Sequence, residues 1–192
     1  MQDLILQPHE VATKAEQTRR LLEFLACRDR AFDPAELHRF IATTFALVQK
    51  AWEARDYQPV RHLLLPNILA KHEALLKSMR GHHEINRIEG LRVERLELVH
   101  LHCPARADDQ EVTALITFRA SVYFVDDRTG ANTRGLRSQS WFQELWTFRR
   151  RGSGWLLQDI EQSHESDRPE RPNLVADLTD QQLANAQSSI AL

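Results

Sequence analysis

Glu144 is the side chain best placed for chemistry, because it alternates with aromatic residues along a predicted strand. Phe142, Trp146 and Phe148 share its side of that strand. Removing a carboxyl group from water raises its pKa toward values that suit proton transfer. A buried carboxylate more often pairs with an arginine, and we favour that interpretation over catalysis. The candidate arginines on neighbouring strands are Arg92, Arg95 and Arg119.

Histidines occur in two clusters that could imitate a metal site. His100 and His102 share one side of a predicted strand, and residues 82–84 read His-His-Glu directly after a predicted helix end. A metal site needs three or four converging ligands, and strand alternation turns Cys103 away from both strand histidines. The sequence also carries no phosphate-binding loop, zinc-finger spacing or nucleophile elbow. We therefore predict no metal, no cofactor, no catalytic residue and no enzyme activity.

The first predicted helix, residues 11–26, combines basic and apolar side chains. Its apolar positions, among them Val11, Leu22 and Leu25, fall near one side. Such a helix either lies on an anionic membrane, with its cations at the headgroups, or covers a sheet. The sequence alone favours packing on a sheet. The residues that would bind lipid are Arg19, Arg20, Leu21, Phe24, Arg28 and Arg30.

Two further helices are predicted in the first half of the chain. Asp33 can cap free backbone N–H groups, and Pro34 suits a first helical turn, where its missing N–H is not needed. Apolar residues from Leu37 to Trp52 then follow helical spacing. A third helix opens at Pro66 and closes at Gly81.

The second half of the chain changes to the period of a strand. Every second residue from Val112 to Phe124 is apolar. Turn residues at 126–130 and 152–154 separate further strands near 138–149 and 155–162. An earlier strand at 91–103 changes its apolar parity, which predicts a bulge near 94–95. We predict an α+β fold, with N-terminal helices packed on a curved antiparallel sheet of about four strands.

A curved, cone-shaped sheet over helices can enclose an apolar pocket, which is the usual site for a lipid tail or a small hydrophobic ligand. The residues predicted to line it are Phe118, Phe124, Phe142, Glu144, Trp146 and Phe148. On the outward face of the sheet, Trp141 and Leu145 could form a homodimer patch.

The composition limits the partners and the compartment. The 192 residues include 25 Lys plus Arg and 27 Asp plus Glu, and the net charge of -2 argues against a nucleic-acid partner. The two cysteines, Cys27 and Cys103, suit a reducing compartment, and no apolar run is long enough to span a bilayer. We expect an amphipathic helix and linker at 1–32, an α+β domain at 33–163 and an acidic, partly flexible tail at 164–192.

One strand motif carries a family resemblance. Residues 143–150 read Gln-Glu-Leu-Trp-Thr-Phe-Arg-Arg, and a glycine turn leads to Trp-Leu-Leu-Gln-Asp-Ile at 155–160. Together with residues 45–52 and 56–66, this pattern resembles the Tim44-like domain of the mitochondrial inner-membrane import subunit and its bacterial relatives. The resemblance spans residues 34–163 and implies a cone-shaped fold like that of nuclear transport factor two.

The resemblance implies a non-enzymatic, membrane-associated domain of protein-transport machinery, with its leading helices binding anionic lipids such as cardiolipin. The long N-terminal chaperone-binding region of the mitochondrial protein has no counterpart here, so we expect a bacterial protein, cytoplasmic or peripheral at the inner membrane. The expected partners are an anionic phospholipid or an acyl chain, a protein-transport partner and a second copy of the chain. The alternative is an isomerase or dehydratase that uses the cavity, although alternation turns Tyr123 away from it.

Overall fold

Helices come first along the chain and strands follow, as the change in apolar period predicts. The computed structural model describes Leu6 and residues 8–188. The helices are α1 (Pro8–Ala26), α2 (Pro34–Ala54), α3 (Pro66–Gly81) and α4 (Asp180–Ser188). The strands are β1 (Glu84–Cys103), β2 (Glu111–Asp126), β3 (Asn132–Gly135), β4 (Ser140–Arg151), β5 (Gly154–Gln162) and β6 (Leu174–Val175).

Helix α2 begins where its capping residue predicts. The Asp33 carboxylate accepts hydrogen bonds from the backbone N–H groups of Ala35 (2.9 Å) and Glu36 (3.0 Å). The buried face of the helix includes Ile41 and Phe45, and the Phe45 ring lies against the sheet. Helix α2 therefore forms one wall of the core.

The sheet has the strand order β5-β4-β2-β1-β6, and β3 pairs with the outer part of β2. All pairs are antiparallel except β1 with β6. Register shifts interrupt β1 at three places, one of them between Val93 and Arg95, where the change of parity predicts a bulge. Extra residues of this kind bend a strand and help the sheet to curl. The predicted α+β arrangement is confirmed, with six strands instead of four.

The two faces of the sheet have different coverings. The inner face, which carries the β2 residues alternating from Val112 to Phe124, packs against α2. On the outer face, Val11 of α1 packs with Val99, Leu115 and Leu145. The predicted dimer patch needs correction here, because α1 covers Leu145 completely while Trp141 is half exposed.

The segment after β5 is docked onto the sheet. Asn173 is buried, and its side chain accepts a hydrogen bond from Leu101 N (3.0 Å) and donates one to Thr18 Oγ1 (3.1 Å). Residues Leu174–Val175 then pair with β1. Residues 173–175 of the predicted tail are therefore held by α1 and β1, while partial flexibility of residues 164–192 stays a prediction.

Candidate functional site

A cavity of about 510 Å³ lies between α2, α3 and the inner face of the sheet. Trp52, Phe118, Phe142 and Trp146 form its aromatic walls. Its polar groups come from several elements: Gln49, Tyr57, Lys71, His72, Asn86, Glu144 and Gln162. This combination of apolar walls and a few convergent polar groups is typical of a small-ligand site.

Strand register brings the walls together. In the β2–β4 pair, Phe118 lies opposite Phe142, and the two rings stack with their centroids 5.3 Å apart. Glu144 and Trp146 follow on the same face of β4. Strand alternation places Phe142, Glu144 and Trp146 on one face of β4, and all three border the cavity.

Two of the predicted lining residues lie elsewhere. Phe148 is fully buried beside Phe40, with ring centroids 5.7 Å apart, and it belongs to the packed core. Phe124 lies farther along β2, where the Arg134 guanidinium stacks 3.5 Å from its ring centroid. Both residues lie on the inner face of the sheet, as strand alternation predicts. They do not line the cavity because they lie too far along their strands.

Glu144 has no arginine partner among the described residues. Its Oε2 accepts a hydrogen bond from Trp146 Nε1 (2.9 Å) and its Oε1 accepts one from Gln162 Nε2 (3.4 Å). Burial raises the pKa of Glu144, and these two hydrogen bonds offset that effect only in part. The carboxyl group therefore lies in the cavity without an ion-pair partner among the described residues, and Lys71, which also lines the cavity, lies 4.0 Å from Asp159 instead.

The predicted ion pair of Glu144 is wrong because the candidate arginines lie on the other face. Arg119 pairs with Glu94 through two hydrogen bonds of 2.9 and 2.6 Å. Arg92 lies opposite Arg119 in the β1–β2 register, and Arg95 lies opposite Thr117. All three arginine positions point away from the face that carries Glu144.

Tyr57 and His72 form a second polar contact in the cavity. Tyr57 Oη lies 2.8 Å from His72 Nδ1, and Trp52 packs edge-on against the His72 ring. Burial, together with the nearby Lys71 charge, lowers the pKa of His72 to about 4, so the imidazole is neutral at pH 7. Burial and the nearby Glu144 raise the pKa of Tyr57 well above its usual range.

Asn86 completes the polar part of the cavity. Its side chain is 8% exposed, and its Oδ1 is buried without a hydrogen-bond partner in the part of the chain that the structure describes. Sequence reasoning missed Asn86, Tyr57 and His72. Asn86 lies on β1, Tyr57 lies just before a short 3₁₀ turn, and His72 lies on α3. No local sequence motif links these three residues.

Helix α1 exposes fewer lipid-binding candidates than its sequence suggests. Arg19 and Arg20 form ion pairs with Glu16 at 2.7 and 2.8 Å. Leu21 is fully buried in the core. Its predicted contact with lipid is therefore wrong for the folded domain, because α1 packs on the sheet through the face that carries Leu21.

Three candidates remain at the end of α1 and its exit. Phe24 is 37% exposed, and the Arg28 guanidinium lies 5.3 Å from its ring centroid. Arg30 is also exposed. Together they form a small basic and aromatic surface, which we call the α1 exit.

The histidine clusters do not converge. His83 Nδ1 lies 3.2 Å from Asp127 Oδ1, whereas His100 is buried on the outer face of the sheet and Cys103 belongs to the inner core. Within residues 8–188, no three His, Cys, Asp or Glu side chains group in a way that could hold a metal ion. In the same range, no helix is both long and apolar enough to cross a bilayer.

Comparison with known proteins gives one family match. Residues 19–162 match the family model described as the Tim44-like domain. Among solved structures, the chain is similar to the crystal structure of the intermembrane space region of chloroplast protein ARC6, with 10% sequence identity and a TM-score of 0.47. That similarity covers 68% of this chain and 95% of the other. No curated protein matches the sequence.

Proposed function

The chain belongs to the Tim44-like domain family, and on that premise we propose that it is a non-enzymatic module that associates peripherally with a membrane and takes part in protein transport. In this proposal the cavity binds an apolar group, either an acyl chain or the side chains of a partner segment. The α1 exit contacts anionic headgroups.

One observation carries the proposal. Every residue that lines the cavity lies between Val48 and Gln162, inside the part of the chain that matches the family. The walls of the cavity include four large aromatic side chains, and its volume is in the range of small-ligand sites. Burying an apolar chain against such walls is favourable in proportion to the area removed from water.

The α1 exit supports the membrane part of the proposal. Arg28 and Arg30 are exposed cations, and Phe24 supplies an apolar ring beside Arg28. A basic residue near an anionic leaflet contributes about 1 kcal/mol of attraction. Two such residues, with one aromatic ring, give weak and reversible binding that suits a peripheral protein.

Flotation with lipid vesicles tests the membrane contact. We expect the protein to float with phosphatidylcholine vesicles that contain cardiolipin and not with pure phosphatidylcholine, and added salt should weaken binding because it screens surface charge. Arg28→Glu together with Arg30→Glu should lower binding at least about tenfold. The control, Arg61→Glu with Lys77→Glu, makes the same charge change on another exposed surface and should bind like the wild type.

Two results would reject this membrane contact. Equal binding to vesicles with and without cardiolipin would show that charge plays no part. Equal loss in the control variant would show that net charge, and not the α1 exit, sets the binding.

The contact between Tyr57 and His72 favours a second candidate, an isomerase or dehydratase in which Glu144 transfers the proton. A carboxyl group with a raised pKa suits this role. The candidate predicts protein-dependent exchange of the α-protons of a cyclic enone in D₂O, measured by NMR, that Glu144→Gln abolishes. Exchange at the buffer rate would count against this candidate.

A further inference from the structure

We propose that the outer face of the sheet carries a docking surface for an extended acidic segment of a partner protein. The surface lies at the end of β2 that pairs with β3, and we call it the outer arginine face. It consists of five arginines and one tryptophan: Arg87, Arg92, Arg95, Arg119, Arg137 and Trp141. It is separate from the cavity and from the α1 exit, so the inference goes beyond the proposed function.

Strand register brings most of these residues together. Arg92 of β1 lies opposite Arg119 of β2, and Arg119 lies opposite Trp141 of β4. Arg95 lies in the neighbouring row on the same face, opposite Thr117. Adjacent strands are about 4.8 Å apart, and successive residues on one face of a strand are about 7 Å apart. These side chains therefore belong to one continuous surface.

Two further arginines extend the surface around Tyr123. Arg87 of β1 lies opposite Tyr123 in the register, and the Arg137 guanidinium lies 4.8 Å from the ring centroid of Tyr123. The rows of Arg95 and Arg87 are those of Thr117 and Tyr123 on β2, which a strand separates by about 20 Å. An extended segment of about seven residues spans that distance.

Positive charge dominates this surface. The five arginines meet only two glutamates, and both glutamates have other partners. Glu94 binds Arg119 (2.6 Å) and lies 3.5 Å from Arg92, whereas Glu89 accepts a hydrogen bond from the Tyr123 hydroxyl (2.5 Å). The three remaining arginines have no carboxylate partner in the part of the chain that the structure describes. Charge complementarity therefore indicates an acidic partner.

The residue types favour a protein partner. Trp141 is 48% exposed, and the Arg119 guanidinium lies 5.1 Å from its ring centroid. Arginine and tryptophan are enriched among the residues that carry most of the energy of protein interfaces. A guanidinium binds a carboxylate through two parallel N–H···O hydrogen bonds, while its flat face can stack on an aromatic ring.

The position of the surface separates it from the proposed membrane contact. Arg150, near the other end of β4, forms an ion pair with Asp29 beside the α1 exit (2.6 Å). Nine residues of β4 separate Arg150 from Trp141, which is about 30 Å along a strand. A bilayer at the α1 exit therefore contacts the opposite end of the sheet, and the outer arginine face stays available to a protein.

Two fluorescein-labelled peptides of about ten residues test the inference. In the first, glutamate alternates with serine around a central phenylalanine, and in the second, glutamine replaces every glutamate. Fluorescence anisotropy at pH 7 and low salt measures their binding to the full chain. We expect the acidic peptide to bind at least about tenfold more tightly than the glutamine peptide, and added salt to weaken its binding.

Variants assign the binding to the outer arginine face. Arg87→Gln together with Arg92→Gln should lower the affinity for the acidic peptide about fivefold, and Trp141→Ala should lower it as well. The control, Arg61→Gln with Lys77→Gln, removes the same charge from another exposed surface and should bind like the wild type. The urea midpoints of both double variants should equal that of the wild type, because all four residues are exposed.

Three results would overturn the inference: equal affinity for the two peptides, equal loss of affinity in the control variant, or unchanged affinity in Arg87→Gln with Arg92→Gln. If that double variant lost flotation with cardiolipin vesicles and kept peptide binding, the surface would be a membrane contact instead. Failure of the wild type to float, with peptide binding that still depends on Arg87 and Arg92, would reject only the membrane part of the proposed function.

Discussion

Glu144 is an acid whose ionisation opposes folding. Its carboxyl group lies in the cavity wall with an indole and an amide as its hydrogen-bond donors, and burial raises its pKa above the ordinary value of 4.5. The titratable groups that face it from the other cavity elements are Tyr57, Lys71 and His72. Tyr57 and His72 are uncharged at pH 7, so they do not stabilise the carboxylate.

Glu144 should therefore make the folded protein less stable as the pH rises, whereas an acid held in a salt bridge makes it more stable. Because folding raises the pKa of Glu144, the protonated carboxyl group makes its full contribution to folding stability below pH 4.5. This contribution is lost as the pH rises through the folded-state pKa. A glutamine side chain at this position cannot ionise, so the Glu144→Gln variant should have a higher urea midpoint than the wild type at pH 8. The difference should shrink toward zero near pH 4.5.

Urea titrations at a series of pH values measure this effect. Loss of protons from the histidines is common to both proteins and cancels in the difference. If the gap between the two midpoints were independent of pH, Glu144 would not be the titrating group.

Among the elements, β3 shows why short edge strands escape prediction. All four of its residues are exposed, so they carry no apolar alternation. Gly135 of β3 pairs with Tyr123 of β2 and has a φ of +82°. A Cβ atom added to Gly135 would lie 2.8 Å from Val122 O and 2.9 Å from Tyr123 Cα. Only glycine fits both this backbone conformation and this close approach.

Gly135→Ala should therefore destabilise the protein by about 1–3 kcal/mol, through backbone strain and a clash with the β2 backbone. Gly81→Ala is the matched control, since its Cβ would meet nothing within 4 Å, and it should change stability by less than about 0.5 kcal/mol. The free energies of unfolding in urea compare the two. Equal values for both variants would mean that β3 is not held tightly against β2.

Asn173 connects the segment after β5 to α1 and to β1. Its side chain bridges Leu101 N on β1 and Thr18 on α1, which places three distant segments in contact. Leu101 is fully buried, so its N–H has no access to water if Asn173 is lost. A buried donor left without a partner costs about 1–3 kcal/mol.

Asn173→Ala should lower the free energy of unfolding by about that amount, and it should speed proteolysis of residues after 163. Asn185→Ala removes an exposed amide on α4 and should have little effect. Wild-type stability in Asn173→Ala would show that the C-terminal segment folds independently of the sheet.

Local sequence signals were sufficient to predict α1, α2 and α3, most of the long strands and which residues share the inner face of β4. Capping at Asp33 and the alternation of β2 and β4 are local signals, because backbone geometry fixes which side chains share a face. The strand motif at 143–150 also identified the Tim44-like family, which the match over residues 19–162 confirms.

Long-range packing, and not any local signal, brings together the polar residues that line the cavity. Tyr57 lies in a loop, and His72, Asn86 and Glu144 lie on α3, β1 and β4, so only the packing of α2 and α3 against the sheet makes all four line one cavity. Packing also buries Leu21, which the sequence analysis assigned to lipid binding, and Leu145, which it assigned to a dimer patch. The physical reason is that periodicity fixes the direction of a side chain from its own element, whereas the neighbour on that side is set by contacts between residues far apart in the chain.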